Sequence, residues 1–360
     1  VSKVVVTGLG LVTGLGHTTP TWQGLLRGQV SSGGVADLPK DHRSPALAAK
    51  AAQLALVDSG LNLPQPELGI VFGTSRGQLG DLERYRQTGL PSWLDAQASG
   101  GALAVAQALG SGNLYGVPAL ACSSGAWAVG WGLRLIQWGY CGRVLCGASD
   151  APRTPLGEVG FRQMGLQATT PYLQPFNALA TGLVLGEGAA ALVLERADWA
   201  RARGARVYGA VTGFGHTNDA WHPCTPDPAG TQALRAVGLC LEEMGIAQTA
   251  VDYLNTHGTG TRLNDAGEYR LIQRAYGPGV WVGATKGATG HCLGATGAME
   301  AAFCLLALYH QYLPASPGLG TGYDLNFVRS SQLQPLTYAV SHSFGFGGQN
   351  VVLGFQRDDN

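Results

Sequence analysis

Short apolar runs ending in glycine alternate along this chain with longer stretches whose apolar residues recur at helical spacing. The opening run, Val4-Val5-Val6-Thr7-Gly8-Leu9-Gly10, reads as a buried strand. Residues 44–59 form an Ala-rich helical pattern closed by Gly60, and residues 68–72 read as the next strand. An apolar strand is predicted at 115–120, followed by Ala121-Cys122-Ser123-Ser124-Gly125 and a helix to about Trp138. Between Ala126 and Trp138 only Arg134 and Gln137 are strongly polar, so this helix is apolar nearly all round and belongs at the centre of the fold. Further strands are predicted at 143–147, 189–194, 251–254 and 280–284. After the last comes His291-Cys292-Leu293-Gly294-Ala295 and a second buried helix to about Tyr312.

The two buried helices are introduced alike: a strand, then Cys122 or His291, two residues, and Gly-Ala. That parallel predicts an internal duplication in which both helices present their N-termini to a common site. Strand and helix signals alternate throughout, so the expected fold class is α/β with mainly parallel pairing. The join is expected near residues 201–207 (RARGARV), giving halves of residues 1–205 and 206–360.

Charge narrows the partners. With 23 basic and 23 acidic residues the chain is neutral, which argues against nucleic acid or an anionic membrane as the main partner. Residues 96–133 carry no charge, but Gln97, Ser99, Gln107, Ser111, Asn113 and Pro118 interrupt them, so a buried core segment is expected and no membrane span. Seven cysteines without CxxC pairs, and no basic stretch leading into an apolar one at the start, point to free thiols in a reducing cytoplasm. The 55 glycines are about twice the usual share, so loops must carry much of the structure.

Several segments have candidate chemistry. Gly8, Gly10 and Gly14 miss the dinucleotide fingerprint by one position, and no acidic residue follows at the ribose-binding distance. Gly73-Thr74-Ser75-Arg76-Gly77 matches the nucleophile elbow of serine hydrolases behind a strand, with His291 or His342 in order to serve as base; a plain glycine turn is the competing reading. Cys122 sits at the start of a buried helix, where backbone N–H groups and the helix dipole lower a thiol pKa. Asn255-Thr256-His257-Gly258-Thr259-Gly260-Thr261 is too polar for core and suits close contact with a polar ligand. Residues 283–291 hold Lys286, one of only four lysines, five residues before His291. Ser341-His342-Ser343-Phe344-Gly345-Phe346-Gly347-Gly348 bares backbone N–H groups of the kind that form an oxyanion hole. His216, His222 and Cys224 fit no common zinc spacing.

These segments, in this order, resemble the elongating β-ketoacyl-acyl carrier protein synthases of the thiolase superfamily. The resemblance runs from about Lys3 to Gln356 and rests on VVVTGLG, ACSSG, LGEGAAALVLE, NTHGTGT, TKGATGHCLGATGA and SFGFGG. It implies a thiolase-like fold of five layers, αβαβα. Cys122 is then the acylated nucleophile, His257 and His291 the catalytic histidines, and Lys286 a nearby lysine paired with Glu268. Phe344 is the gate, its N–H forming the acyl oxyanion hole with that of Cys122. Thr259 and Thr261 hold the phosphopantetheine arm, and Arg76, Gly345 and Phe346 adjoin the acyl chain. The implied partners are an acyl carrier protein and a second copy of the chain, or a related ketosynthase-like chain. No metal and no resident cofactor are expected.

Residue types separate the relatives within that fold. A thiolase needs a second cysteine in the C-terminal loop, but the last here is Cys304. Initiating synthases use Asn where His291 stands, and chain-length factors lack the Cys that this chain keeps. Four departures from the family pattern stand out: a shortened stretch between Gly28 and Ser44, Arg76 at a usually apolar place near the tunnel end, His342 for Asn, and Asn177 for Asp.

Overall fold

The computed structural model describes residues 2–36, 38–89 and 96–358. Its main sheet follows ten strands: β1 (Val4–Thr13), β2 (Gly69–Gly73), β3 (Leu114–Gly116), β4 (Arg143–Asp150), β5 (Gly188–Arg196), β6 (Gly209–Asn218), β7 (Tyr253–Asn255), β8 (Trp281–Gly283), β9 (Tyr338–Gly345) and β10 (Gln349–Gln356). The spatial order is β3-β2-β4-β5-β1-β6-β10-β9-β7-β8, and Gly16–His17 adds a short strand to β1. From either end inward, β3-β2-β4-β5-β1 and β8-β7-β9-β10-β6 are the same arrangement. The expected duplication is therefore present, and among the described residues the two half-sheets pair through Val5↔Ala210 and Val6↔Gly209.

Pairing departs from the mainly parallel expectation. The outer three strands of each half are parallel, but β5, β1, β10 and β6 add antiparallel pairs. Chain length explains one of these pairs: the short turn from β9 to β10 leaves no room for the crossover that parallel neighbours need. The strand expected at 115–120 also ends early, at Gly116. Pro118 has no N–H for a ladder, and its carbonyl turns to accept the Thr74 N–H at 3.1 Å.

Helices α1 (Arg43–Asp58) and α2 (Gly100–Leu109) cover the outer face of the first half. Between the sheets lie α3 (Ser124–Gln137) and α6 (Thr296–His310), while α4 (Thr231–Met244) and α5 (Arg262–Ala275) cover the second half outside. The result is the five-layer αβαβα arrangement. Every residue of α6 from Thr296 to Leu308 is buried, which accounts for its lack of a polar face. The segment Leu293–His310 is long and apolar enough to cross a membrane by composition, but 89% of it is buried within the protein.

At their N-termini α3 and α6 cross almost in contact. A Cβ on Gly125 would lie 2.8 Å from the Ala298 nitrogen, and one on Gly297 would lie 2.8 Å from that of Ala126, so both positions exclude any larger residue. This reciprocal contact fixes the register of the repeat. A 3-10 turn precedes each helix, Ala121–Ser123 and Leu293–Ala295, and each contains a left-handed residue, Ala121 (φ +49°) and Leu293 (φ +45°). Cys122 is thus the counterpart of Gly294, three residues beyond the His291 that the sequence parallel selects.

Candidate active site

Cys122 projects from the tight turn that leads into α3. Ser123 Oγ donates to the carbonyls of Ser343 (2.9 Å) and Gln349 (3.1 Å), and Ser124 Oγ to those of Ala121 (2.7 Å) and Thr74 (3.0 Å). These hydroxyls anchor the turn to the β9–β10 hairpin on one side and to the end of β2 on the other. Gly345 closes the approach: a Cβ there would lie 2.7 Å from the Leu120 carbonyl oxygen and 3.3 Å from the Cys122 nitrogen. Only a residue without a side chain lets these two backbones meet.

The imidazoles arrive from the other half. His291 is held by its backbone against the segment before β5, its N–H donating to Val184 O and its carbonyl accepting from Gly186 N–H. Its Nε2 lies 3.2 Å from Cys122 Sγ, and its Nδ1 lies 3.2 Å from the Thr296 hydroxyl. A hydroxyl can donate or accept, so His291 can hold either tautomer and can take a proton from the thiol or give one back. The His257 ring stands edge-on at 5.4 Å from that of His291 and 5.8 Å from Phe344.

Burial sets the protonation states. The Cys122 thiol is pushed up to about 12 by desolvation, against the pull of the Lys286 ammonium. The activated low-pKa thiol expected from the helix start is thus overturned: at neutral pH the sulfur keeps its proton until a base removes it. Burial and then the Lys286 charge hold both His257 and His291 well below the usual imidazole value, so both are neutral.

Lys286 does not pair with Glu268, contrary to expectation. Its Nζ meets Glu300 Oε1 at 2.7 Å, with both side chains 1% exposed, and burial raises the Glu300 carboxyl to about 7. Glu268 instead accepts the backbone N–H groups of His257 (2.7 Å) and Gly258 (2.8 Å). Sequence reasoning passed over Glu300, although its signal was present: it is the single acidic residue of a helix that is otherwise apolar all round.

A cavity of about 520 Å³ joins the pieces. Cys122, His257, His291, Glu268, Thr259, Thr261, Phe344, Gly345 and Phe346 all line it, and the Thr259 and Thr261 hydroxyls are 2.8 Å apart. Lys286 lies behind this wall. Arg76 also stands outside the lining, its guanidinium 5.2 Å from the centre of the Phe161 ring, which stacks on Phe346. Ser75 fails as a hydrolase nucleophile, because its hydroxyl is buried and, among the described residues, no histidine is hydrogen-bonded to it as a base. His216 stacks on Phe214, and His222 Nδ1 accepts the N–H groups of Cys224 and Thr225, so these residues serve local structure. Among the described residues the single group with metal-ligand spacing is Cys122, His257 and His291 themselves. The Lys286 charge that reaches all three opposes a dication among them.

Comparison with known proteins agrees with this geometry. Residues 42–200 match the family model described as beta-ketoacyl synthase, N-terminal domain, and residues 208–319 the corresponding C-terminal domain. A 3-oxoacyl-[acyl-carrier-protein] synthase 2 of Synechocystis sp. is 33% identical, with 99% of this chain and 98% of that protein covered. One of Vibrio cholerae is 30% identical, with 99% of each covered. The first alignment spans 410 positions against 360 residues here, so that relative carries insertions this chain lacks. Among solved structures, a beta-ketoacyl synthase from Burkholderia phymatum superposes with a TM-score of 0.90 at 27% identity, covering 99% of this chain and 100% of that one. The ishigamide ketosynthase/chain length factor gives 0.91 at 28%, with 99% of each covered. A thiol and two neutral imidazoles in one cavity, on a duplicated five-layer fold matched along nearly its whole length, place this chain in the beta-ketoacyl synthase family.

Proposed function

We propose that the chain is a decarboxylating ketosynthase that takes an acyl group from the phosphopantetheine arm of an acyl carrier protein and condenses it with malonyl-acyl carrier protein. The 3.2 Å contact between His291 Nε2 and Cys122 Sγ, with His257 alongside, carries the reading. As the Cys122 sulfur bonds to the thioester carbon, its proton passes to His291, and the departing carrier thiolate takes that proton. One thioester replaces another, so little free energy changes, and the N–H groups of Cys122 and Phe344 hold the transient oxyanion. In the malonyl thioester the bond to the carboxylate then breaks, carbon dioxide leaves, and the electron pair remains as an enolate. Hydrogen bonds from His257 and His291 stabilise its oxygen. The enolate carbon attacks the Cys122 thioester, sulfur departs as a thiolate that takes up one proton from solvent by way of His291, and the 3-oxoacyl product stays on the carrier. Thr259 and Thr261 hold the pantetheine amides at the cavity wall, and Arg76 stiffens the Phe161–Phe346 wall from behind.

Two of the solved neighbours support the partners: one is a type II PKS acyl-carrier protein in complex with its ketosynthase, the other a ketosynthase with its chain length factor. This chain is assigned an acyl carrier protein and a second ketosynthase-type subunit, in first place its own copy. Strand β3 ends the sheet with Leu114 and Tyr115 each 40% exposed, an edge suited to such pairing. A purely non-catalytic partner role fits poorly with a retained thiol already in contact with its base. The division at residues 205 and 206, a cytoplasmic setting, and the absence of a resident cofactor or metal belong to the same proposal.

Incubation with an acyl-carrier thioester and malonyl-carrier thioester is expected to yield carbon dioxide and a carrier-bound chain two carbons longer. Carbon dioxide without a longer chain, or neither, would count against the reading. The pH dependence follows from the lowered imidazole pKa values. Both rings are already neutral at pH 7.5, so decarboxylation should stay flat down to about pH 6.5 and fall only well below it. The unfolded chain takes up those protons near pH 6.5 while the folded one does not, so stability also falls as pH drops through that range. An inflection of the decarboxylation rate near pH 6.5 would contradict this.

A further inference from the structure

Among the described residues His257 has no hydrogen bond to hold its ring. Its Nδ1 is buried and unpartnered, so the ring stands where its backbone puts it. That backbone is a glycine-rich loop with left-handed Gly258 (φ +34°) and Gly260 (φ +72°), and such a loop needs an external clamp. Glu268 supplies it, Oε1 accepting the His257 N–H and Oε2 the Gly258 N–H. Glu268 is in turn fixed by His342, a fully buried residue of β9 whose Nδ1 lies 3.1 Å from Glu268 Oε1. On its other side His342 Nε2 lies 2.8 Å from the Tyr276 hydroxyl at the end of α5. A carboxylate only accepts, so Nδ1–H donates to Glu268, and in the neutral ring Nε2 then accepts from the Tyr276 hydroxyl, which burial keeps protonated. Strand geometry places His342 and Phe344 on one face of β9, with their rings 5.3 Å apart. One side chain therefore touches both the clamp of the His257 loop and the residue that packs on His257 itself.

We propose that His342 is a positioning residue that sets His257 for enolate stabilisation through the relay Tyr276–His342–Glu268. The proposal rests on the reading of His257 as the enolate's donor. Acylation of Cys122 uses His291 and the backbone N–H groups of Cys122 and Phe344, none of which the Glu268 clamp holds, so the relay should bear on one half-reaction and leave the other.

The test measures two rates in the full chain: acylation of Cys122 by an acyl-carrier thioester, and carbon dioxide release from malonyl-carrier thioester. In His342→Phe the decarboxylation kcat should fall by about tenfold or more with KM and Cys122 acylation within about threefold of wild type, since sub-ångström misplacement acts on the rate of chemistry. His342→Gln, which restores a donor to Glu268, should recover most of the loss. Tyr276→Phe, which removes only the outer bond, should show a smaller loss of the same selective kind, and it decides the matter if His342→Phe does not fold. Equal decreases in both rates, or unchanged decarboxylation in these variants, would overturn the positioning role while leaving the ketosynthase reading intact. A wild-type protein that releases no carbon dioxide would overturn that reading and this proposal together.

Discussion

Replacing Cys122 with alanine should abolish chain elongation, by on the order of 10⁴-fold or more, while carbon dioxide release from the malonyl thioester continues. The covalent step needs the sulfur and has no substitute, because the nearby Ser123 and Ser124 hydroxyls are committed to backbone carbonyls. Decarboxylation needs only a donor pair for the enolate oxygen, and His257 and His291 remain. The change is also structurally mild. The thiol is uncharged when buried, so its loss strands no ion, and one missing heavy atom costs about 1 kcal/mol. Carbon dioxide release and product length, measured on the same sample, separate the two steps. Loss of both together would mean that Cys122 supports the site as a whole, and elongation by the variant would remove it from the chemistry.

Glu300→Ala should be the most damaging substitution for stability, costing about 3–5 kcal/mol. Lys286 is 1% exposed, and Glu300 is its one ion-pair partner among the described residues. Removing the carboxylate leaves an ammonium in the core with no water to solvate it. Glu300 also accepts from the Thr285 hydroxyl at 3.5 Å, so the cost is not confined to one contact. The double variant Lys286→Met with Glu300→Met should regain most of the loss, because the expense lies in the unpaired ion more than in the missing attraction. Chemical denaturation midpoints of the wild type and the two variants decide this. A change under about 1 kcal/mol for Glu300→Ala would show that solvent reaches the pair.

Much of this site was legible in the residues themselves. Cys122, His257, His291 and Phe344 come from four separate segments, and the structure lines one cavity with all of them. The two central helices were visible because a helix without a polar face has nowhere to go except between layers. What the sequence left open were choices among near-equal partners. Lys286 has Glu268 eighteen residues before it and Glu300 fourteen after it, and only the folded position of α6 decides for Glu300. The repeat was found but misregistered by three residues, since Gly-Ala recurs in both segments while the reciprocal contact of Gly125 and Gly297 exists only in three dimensions. The thiol's protonation failed for a different reason. Full burial raises the Cys122 thiol pKa, and the depth of burial is not readable from position in a motif. His342 stood out as a departure without a role until its two hydrogen-bond partners, 66 and 74 residues away, were in view.

The central claim is that an acyl group passes through Cys122. Intact-protein mass spectrometry after mixing with an acyl-carrier thioester, with no malonyl donor present, tests it most directly. The account predicts one added acyl mass per chain, located on the peptide that contains Cys122, discharged on addition of malonyl-carrier thioester and missing from Cys122→Ala. An acyl adduct on another residue, or no adduct while longer chains still form, would contradict it.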